Sequence, residues 1–327
     1  MYDYGLSTLS RYPLTLENSW RVRGALLCRT GEGIFLLKEF RGSRAKLEKQ
    51  QELLCKLQEK GFLVDAFLRN EEGELVTEDA NGTAYTLRCW YEGRECDTRS
   101  EEDVRNGVRL LAELHNSMRL PFEKESKARS LEDEYRRHNQ ELRKIRKFIY
   151  KKGPSGTFET EYLASADAFL KKGEEALTLL NASAYPELIR DAEASGTVCH
   201  GEYNQHNVLM TQNRAAAVNF QNWNYDVQMA DLYGFMRKIL EKYRWDTELA
   251  ERMLKQYHQT RRISPEEWEN LRIRFTYPEK YWKLANYYYC HKKAWISEKT
   301  VEKLQKLNRQ RVQWEECVNR CFDRYPF

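Results

Sequence analysis

Long apolar runs are missing from this 327-residue chain. No stretch approaches the roughly 20 consecutive apolar residues needed to span a bilayer. No signal peptide is legible either, so the expectation is a protein made in the cytoplasm that stays soluble, without a membrane partner. A large charge of one sign is missing too: 54 Lys and Arg face 50 Asp and Glu, a net of +4. That surplus is too mild to argue for a nucleic-acid partner by itself. Among the eight cysteines (Cys28, Cys55, Cys89, Cys96, Cys199, Cys290, Cys317 and Cys321) no CxxC pair occurs. A zinc site is therefore not expected, and the thiols read as reduced, many of them core fillers. Internal repeats and low-complexity segments are absent, and so is a GxGxxG loop.

What is present is material for two cores. The chain is long enough for two lobes, with 41% hydrophobic, 13% aromatic and 32% charged residues. The β-rich signals lie early. Arg21 to Thr30 and Ile34 to Phe40 read as strands joined by Gly31-Glu32-Gly33. Phe62 to Arg69 and Glu74 to Thr77 read as a second hairpin around Glu71-Glu72-Gly73, and Asn81-Gly82 turns the chain into a strand from Thr83 to Tyr91. Between the hairpins, Arg44 to Lys60 has helical period, with Leu47, Leu54 and Leu57 on one face and Gly61 as its stop. The first dozen residues form an arm over this part.

Helical patterns dominate after Gly93. They cover Asp103 to Ser117, Leu131 to Lys152, Glu159 to Asn181, Leu232 to Tyr243 and Glu279 to Ala294. Ser264-Pro265-Glu266-Glu267 is a capped helix start. Leu304, Leu307, Trp314, Val318 and Cys321 form one apolar stripe over Val301 to Phe322. His115 reads as a satisfied core histidine. The strongly basic Leu131 to Lys152 helix reads as a solvated face with i,i+4 partners such as Glu141, rather than as a nucleic-acid or docking surface.

One stretch organises the rest. Cys199 to Asp231 carries His200-Gly201-Glu202, then Asn207, then an apolar run ending in Asn219-Phe220-Gln221, and then Asp231-Leu232 opening a helix. This layout resembles the catalytic core of the aminoglycoside phosphotransferase and choline kinase group. That group shows H-G-D, an Asn five residues on, a strand ending in D-F or D-W, and a structural Asp before a helix. The segments HGxxxQHNVL, NFQNWNYDVQMADLYGFMRKILEKYRWD and FTYPEKYWKLANYYYCHKKAW narrow this. They resemble the CotS-type family of bacterial spore coat proteins, over a span from about Leu14 to the C-terminus.

The resemblance implies an α+β, two-lobed protein-kinase-like fold. Residues 1–91 would form a small antiparallel lobe with one helix, and 92–327 a large helical lobe with an insertion at 121–181. It implies that Lys38 reaches nucleotide phosphates and that Glu48, slightly ahead of Glu52, pairs with Lys38. The backbone of Arg88, Cys89 and Trp90 would face adenine. Glu202 takes the catalytic base position, Asn207 and Asn219 the metal positions, and Asp231 a structural one. Other spore coat proteins would be its partners, and its place the spore coat after synthesis in the mother cell.

Two of those positions are altered. Glutamate at 202 displaces the carboxylate by about one methylene, and a misplacement of roughly 1 Å costs on the order of 10²-fold. Asn219 removes an anionic oxygen that magnesium prefers. The combination predicts a pseudokinase with a structural role that binds ATP weakly or not at all and holds magnesium poorly. The competing expectation is an active phosphotransferase, on a small molecule or protein hydroxyl, with Glu202 as base.

Overall fold

The structure, a computed structural model, describes residues 5–290 and 297–322. Contacts divide the chain into two compact units, Met1–Ser126 with Ser195–Asp231, and Lys127–Ala194 with Leu232–Phe327. The first unit thus contains both the N-terminal sheet and the central motif.

A five-stranded antiparallel sheet opens the first unit. It uses β1 (Leu16–Val22), β2 (Ala25–Thr30), β3 (Gly33–Glu39), β4 (Thr77–Glu78) and β5 (Ala84–Trp90), in the order β1-β2-β3-β5-β4. Its faces follow the two-residue alternation of a strand. Leu26, Cys28, Phe35, Leu37, Tyr85 and Leu87 share one core cluster with Leu9 and Tyr12. Ala25, Leu27 and Leu36 share another. Leu9 and Tyr12 come from the arm, a 3-10 turn at Leu6–Arg11 and its cap.

Two strand expectations need correction. Arg21 to Thr30 is not one strand: Gly24, at φ 67°, turns the chain between β1 and β2. Glycine adopts that left-handed conformation without a Cβ penalty. The hairpin expected around Gly73 reduces to the short β4 and isolated bridges, Val64 with Ala217 and Phe67 with Arg88. Asn70 explains part of this, because its Oδ1 accepts the Glu72 and Glu74 amides and competes with a ladder.

Helix α1 (Arg44–Glu59) starts on Ser43, whose Oγ accepts the Lys46 amide. It buries Leu47, Leu53, Leu54 and Leu57, each contributing about 1.5–3 kcal/mol by leaving water. Gly61, at φ 84°, ends it, with the Phe62 amide returning to the Leu57 carbonyl at 3.0 Å. After β6 (Arg94–Glu95) comes α2 (Glu101–Ser117), capped by Ser100 and carrying His115.

The second unit begins with α3 (Leu131–Lys152), α4 (Thr157–Ala182) and α5 (Tyr185–Ser195). Five α3 cations meet acids: Arg136 with Glu132, Arg137 with Glu141, Arg143 with Glu174, Arg146 with Asp167 and Lys152 with Glu159. This is the solvated, ion-paired face expected from the sequence.

The chain returns to the first unit through β7 (Val198–Cys199), β8 (Val208–Met210), β9 (Ala215–Ala217) and β10 (Asn224–Tyr225). β7 pairs with β10, and β8 pairs with β6 and β9, all antiparallel.

Helix α6 (Met229–Leu240) starts before Asp231 rather than after it. Then come α7 (Thr247–Thr260), α8 (Pro265–Thr276), α9 (Glu279–Cys290), α10 (Glu298–Arg309) and α11 (Arg311–Phe322). The end of the expected Glu279 to Ala294 helix lies outside the described residues. In α9, Tyr281 and Tyr288 are buried while Tyr287 and Tyr289 are exposed. Tyr281 stacks between Tyr162 and Phe169 of α4. The stripe over Val301 to Phe322 belongs to two helices, because Gln310 leaves helical geometry at ψ 0° and then accepts the Trp314 amide.

Candidate functional site

Asp231 fixes the backbone of the central motif. Its Oδ2 accepts the His200 amide at 2.6 Å and its Oδ1 the Gly201 amide at 2.9 Å. His115 Nε2 donates to Oδ2 at 3.3 Å. Burial alone would raise this carboxyl, but the His115 hydrogen bond and the His200 amide hold it below the ordinary carboxylate value. Gly201 has φ 80°, and a Cβ there would lie 1.9 Å from the Asn222 carbonyl oxygen. Only glycine fits that turn.

The His200 ring locks the loop from inside. Its Nδ1 accepts the Glu202 amide at 3.2 Å, so Nε2 carries the proton and donates to the Val218 carbonyl at 3.0 Å. Burial pushes its pKa down despite the nearby Asp231 carboxylate, which keeps the ring neutral. His200 is therefore a brace, with both nitrogens committed.

Glu202 stands exposed at the loop tip. Its carbonyl accepts the side-chain amides of Asn204 and Asn207, each at 2.9 Å, and its Oε2 accepts Asn222 Nδ2 at 2.7 Å. Asn219 Nδ2 donates to Asn207 Oδ1 at 2.9 Å. Asn219 itself is left-handed, at φ 67° and ψ 52°. The structure thus brings Glu202, Asn207 and Asn219 into one hydrogen-bonded group.

That group does not fit a magnesium ion. Magnesium requires hard oxygens, usually including a carboxylate. Here the two residues at the metal positions are neutral amides bonded to each other, and Asn207 has its donor and its acceptor engaged. Asp226, the nearest acid along the chain after Asn219, bonds the Val227 amide at 2.7 Å. Among the described residues no group of three or more His, Cys, Asp or Glu side chains is placed to hold a metal.

The expected partner of Lys38 is not in α1. Glu48 makes a two-pronged pair with Arg69, at 2.7 and 3.2 Å, and Glu52 pairs with Lys49 and Lys56. Both acids face nearby cations on the exposed side of the helix. The acid that sequence reasoning missed is Asp65, which is fully buried. Its Oδ2 accepts Arg88 Nη1 at 3.0 Å and the Asn219 amide at 2.8 Å. Burial raises this carboxyl, opposed by the Arg88 charge. A signal was available: Asp65 lies inside the apolar run Leu63-Val64-Asp65-Ala66-Phe67, and a buried acid requires a partner.

The strand expected to present the backbone of Arg88, Cys89 and Trp90 to adenine is β5. The Arg88 side chain is buried against Asp65 and Phe67. The Cys89 amide donates to the Ala66 carbonyl at 2.8 Å, and β5 keeps its register with β3 as far as Trp90 opposite Ile34. The ladder therefore takes the Cys89 amide. The connecting residues are Tyr91, Glu92 and Gly93, where a Cβ on Gly93 would meet the Met210 carbonyl at 2.6 Å. A cavity of about 290 Å³ in the same unit, lined by charged residues such as Lys60, Arg109 and Glu113 and by apolar ones such as Leu63 and Leu110, does not involve Lys38, Asn207 or Asn219.

The fold is shared with solved phosphotransferases. An aminoglycoside phosphotransferase from Alicyclobacillus acidocaldarius superposes with a TM-score of 0.87 at 18% identity, covering 96% of this chain and 94% of its own. A spectinomycin phosphotransferase, solved with ADP and spectinomycin, gives 0.65 at 9% identity, with 95% of each chain covered. An amicoumacin kinase, solved with AMP-PNP and Ca2+, gives 0.61 at 13% identity, covering 98% of this chain and 94% of its own. In sequence, the chain is 24% identical to spore coat protein S of Bacillus subtilis (strain 168) over 330 aligned residues, 97% of this chain and 92% of that protein. The profile of the family described as "Spore coat putative kinase YutH" matches residues 8–321. With nearly the whole length matched and the two-lobed phosphotransferase fold in place, the chain belongs to the spore coat YutH family.

Proposed function

We infer that this protein is a spore coat component that uses a kinase-like fold as a rigid scaffold, with its phosphotransfer chemistry disabled. The observation that carries this reading is the Asn219–Asn207 amide bond, which fills the metal positions with neutral groups facing each other. Glu202 adds to it, because a longer side chain stands where the group carries aspartate, and its carboxylate is tied to Asn222. Nucleotide binding is then weak and independent of magnesium, with Lys38 and the link at Tyr91 to Gly93 as the contacts. Other coat proteins are the partners, as membership of this family implies.

A second reading is favoured by one feature. Glu202 is exposed and oriented by Asn222, as a base acting on an incoming hydroxyl would be. In that case the chain is a phosphotransferase with a displaced base.

Thermal melting separates the two. For a Kd near 1 mM, about 10 mM ATP stabilises the fold by roughly 1.4 kcal/mol, a rise of a few degrees at most. The scaffold reading expects the same rise with and without magnesium. A large magnesium-dependent rise overturns it in favour of the enzyme. For the location, a tagged copy in a spore-forming host is expected in the coat fraction, and recovery only from vegetative extract removes that assignment.

A further inference from the structure

Strands β3 and β5 place two cations on one face of the sheet. Leu36 pairs with Arg88 and Lys38 with Thr86, so Lys38 and Arg88 occupy diagonal positions that long side chains bridge. Asp65 completes the cluster. Its Oδ2 is shared between Arg88 Nη1 and the Asn219 amide, while its Oδ1 is buried with no donor. Lys38 is half-buried and has no acid within 4 Å among the described residues. Burial and the Arg88 charge pull its ammonium down, and the Asp65 and Glu202 charges oppose them. A buried carboxylate oxygen without a donor and a half-buried ammonium without an acid are each costly, and a bond between them removes both costs.

We propose that Asp65, rather than Glu48 or Glu52 of α1, is the acid that positions Lys38, through a hydrogen bond from Lys38 Nζ to Asp65 Oδ1. Asp65 lies on a segment bridged to β5 through Phe67 and to β9 through Val64. It also holds the backbone of Asn219. The lysine is therefore tied to the sheet and to the central motif, and its placement does not depend on the position of α1. Two cations and one carboxylate leave one net positive charge in the cluster, which suits the phosphates of a nucleotide held without a metal. That last step rests on the nucleotide reading above; the positioning does not.

The test reads Lys38 directly in the full chain, without nucleotide. Protein carrying ¹³C at lysine Cε gives a titration midpoint for each lysine, with the Lys38 signal assigned by its loss in Lys38→Arg. Asp65→Asn removes the charge that favours the ammonium and is expected to move the Lys38 midpoint down. Glu48→Gln and Glu52→Gln are expected to leave it in place. An unmoved midpoint in Asp65→Asn, or an equal move in either glutamine variant, overturns the proposal. If Asp65→Asn does not fold, Lys38→Met decides. Loss of the donor to Oδ1 is expected to lower its melting temperature by a few degrees. An unchanged or higher value, the result of deleting an unpaired half-buried ammonium, overturns the proposal. Absence of any ATP effect would defeat the nucleotide reading and leave these outcomes as they are.

Discussion

Asn219 donates its side-chain amide to Asn207 at 2.9 Å, across 12 residues of sequence. Asn207 accepts from Asn219 and donates to the Glu202 carbonyl, so its side-chain amide is engaged at both ends. Asp65 reinforces it by holding the Asn219 amide. The Asn219–Asn207 bond thus braces the end of β9 against the residues after β7.

That bonded pair predicts how chemistry could be restored. Asn219→Asp removes the donor to Asn207 Oδ1 and adds an anionic oxygen, while Glu202→Asp shortens the reach of the base. Base and metal act as a unit, so each single change is expected to remain silent. The double variant is expected to gain magnesium-dependent ATP hydrolysis, with the base contributing about 10²–10⁴-fold. Phosphate release by wild type, both singles and the double, with and without magnesium, measures this. Robust wild-type turnover lost in Glu202→Gln would defeat the prediction and establish the enzyme reading.

Gly201→Ala tests the loop turn. Its Cβ would fall 1.9 Å from the Asn222 carbonyl in a backbone already at φ 80°. Both effects destabilise, and the neighbour is backbone, which cannot rotate away. A loss above about 4 kcal/mol, in the range of exceptional point mutants, is expected. Urea denaturation of the variant measures it. A loss below about 1 kcal/mol would mean that the turn relaxes freely.

His138 predicts a pH dependence in the second unit. Burial first, and then the Arg137 guanidinium, pull its pKa from 6.5 down to about 4. Its ring stacks on Trp282 at 3.4 Å, and Arg137 Nη2 donates to Nε2 at 3.1 Å. The folded protein keeps this ring neutral where the unfolded chain protonates it. Unfolded chains then bind the extra proton between pH 6.5 and 4, and the contribution to stability falls as pH drops through that window. Denaturation followed by tryptophan fluorescence should show that slope in wild type and a shallower one in His138→Phe. Equal slopes would show that His138 titrates normally.

Much of the architecture was legible because it is local. Leu131–Lys152 was readable from end to end, since both its period and its boundary residues lie within a few turns. Ser264 and Glu267 form the reciprocal cap that their spacing announces. The turn at Gly82 was equally plain, with Asp79 accepting the Asn81 and Thr83 amides. The break at Gln310 was not readable, because the apolar stripe runs through it without interruption.

In the candidate site, sequence by itself determined which residue types stand at the motif positions: His200, Glu202, Asn207, Asn219 and Asp231. Their resemblance to a phosphotransferase core followed from that order alone. Tertiary structure decided the partners. Glu48 is committed to Arg69, 21 residues away, and Asp65 to Arg88, 23 residues away. No period links such pairs, because each depends on which strands align and on which charges burial leaves uncompensated. A buried carboxylate must find a donor wherever the fold brings one, and sequence spacing carries no record of that choice.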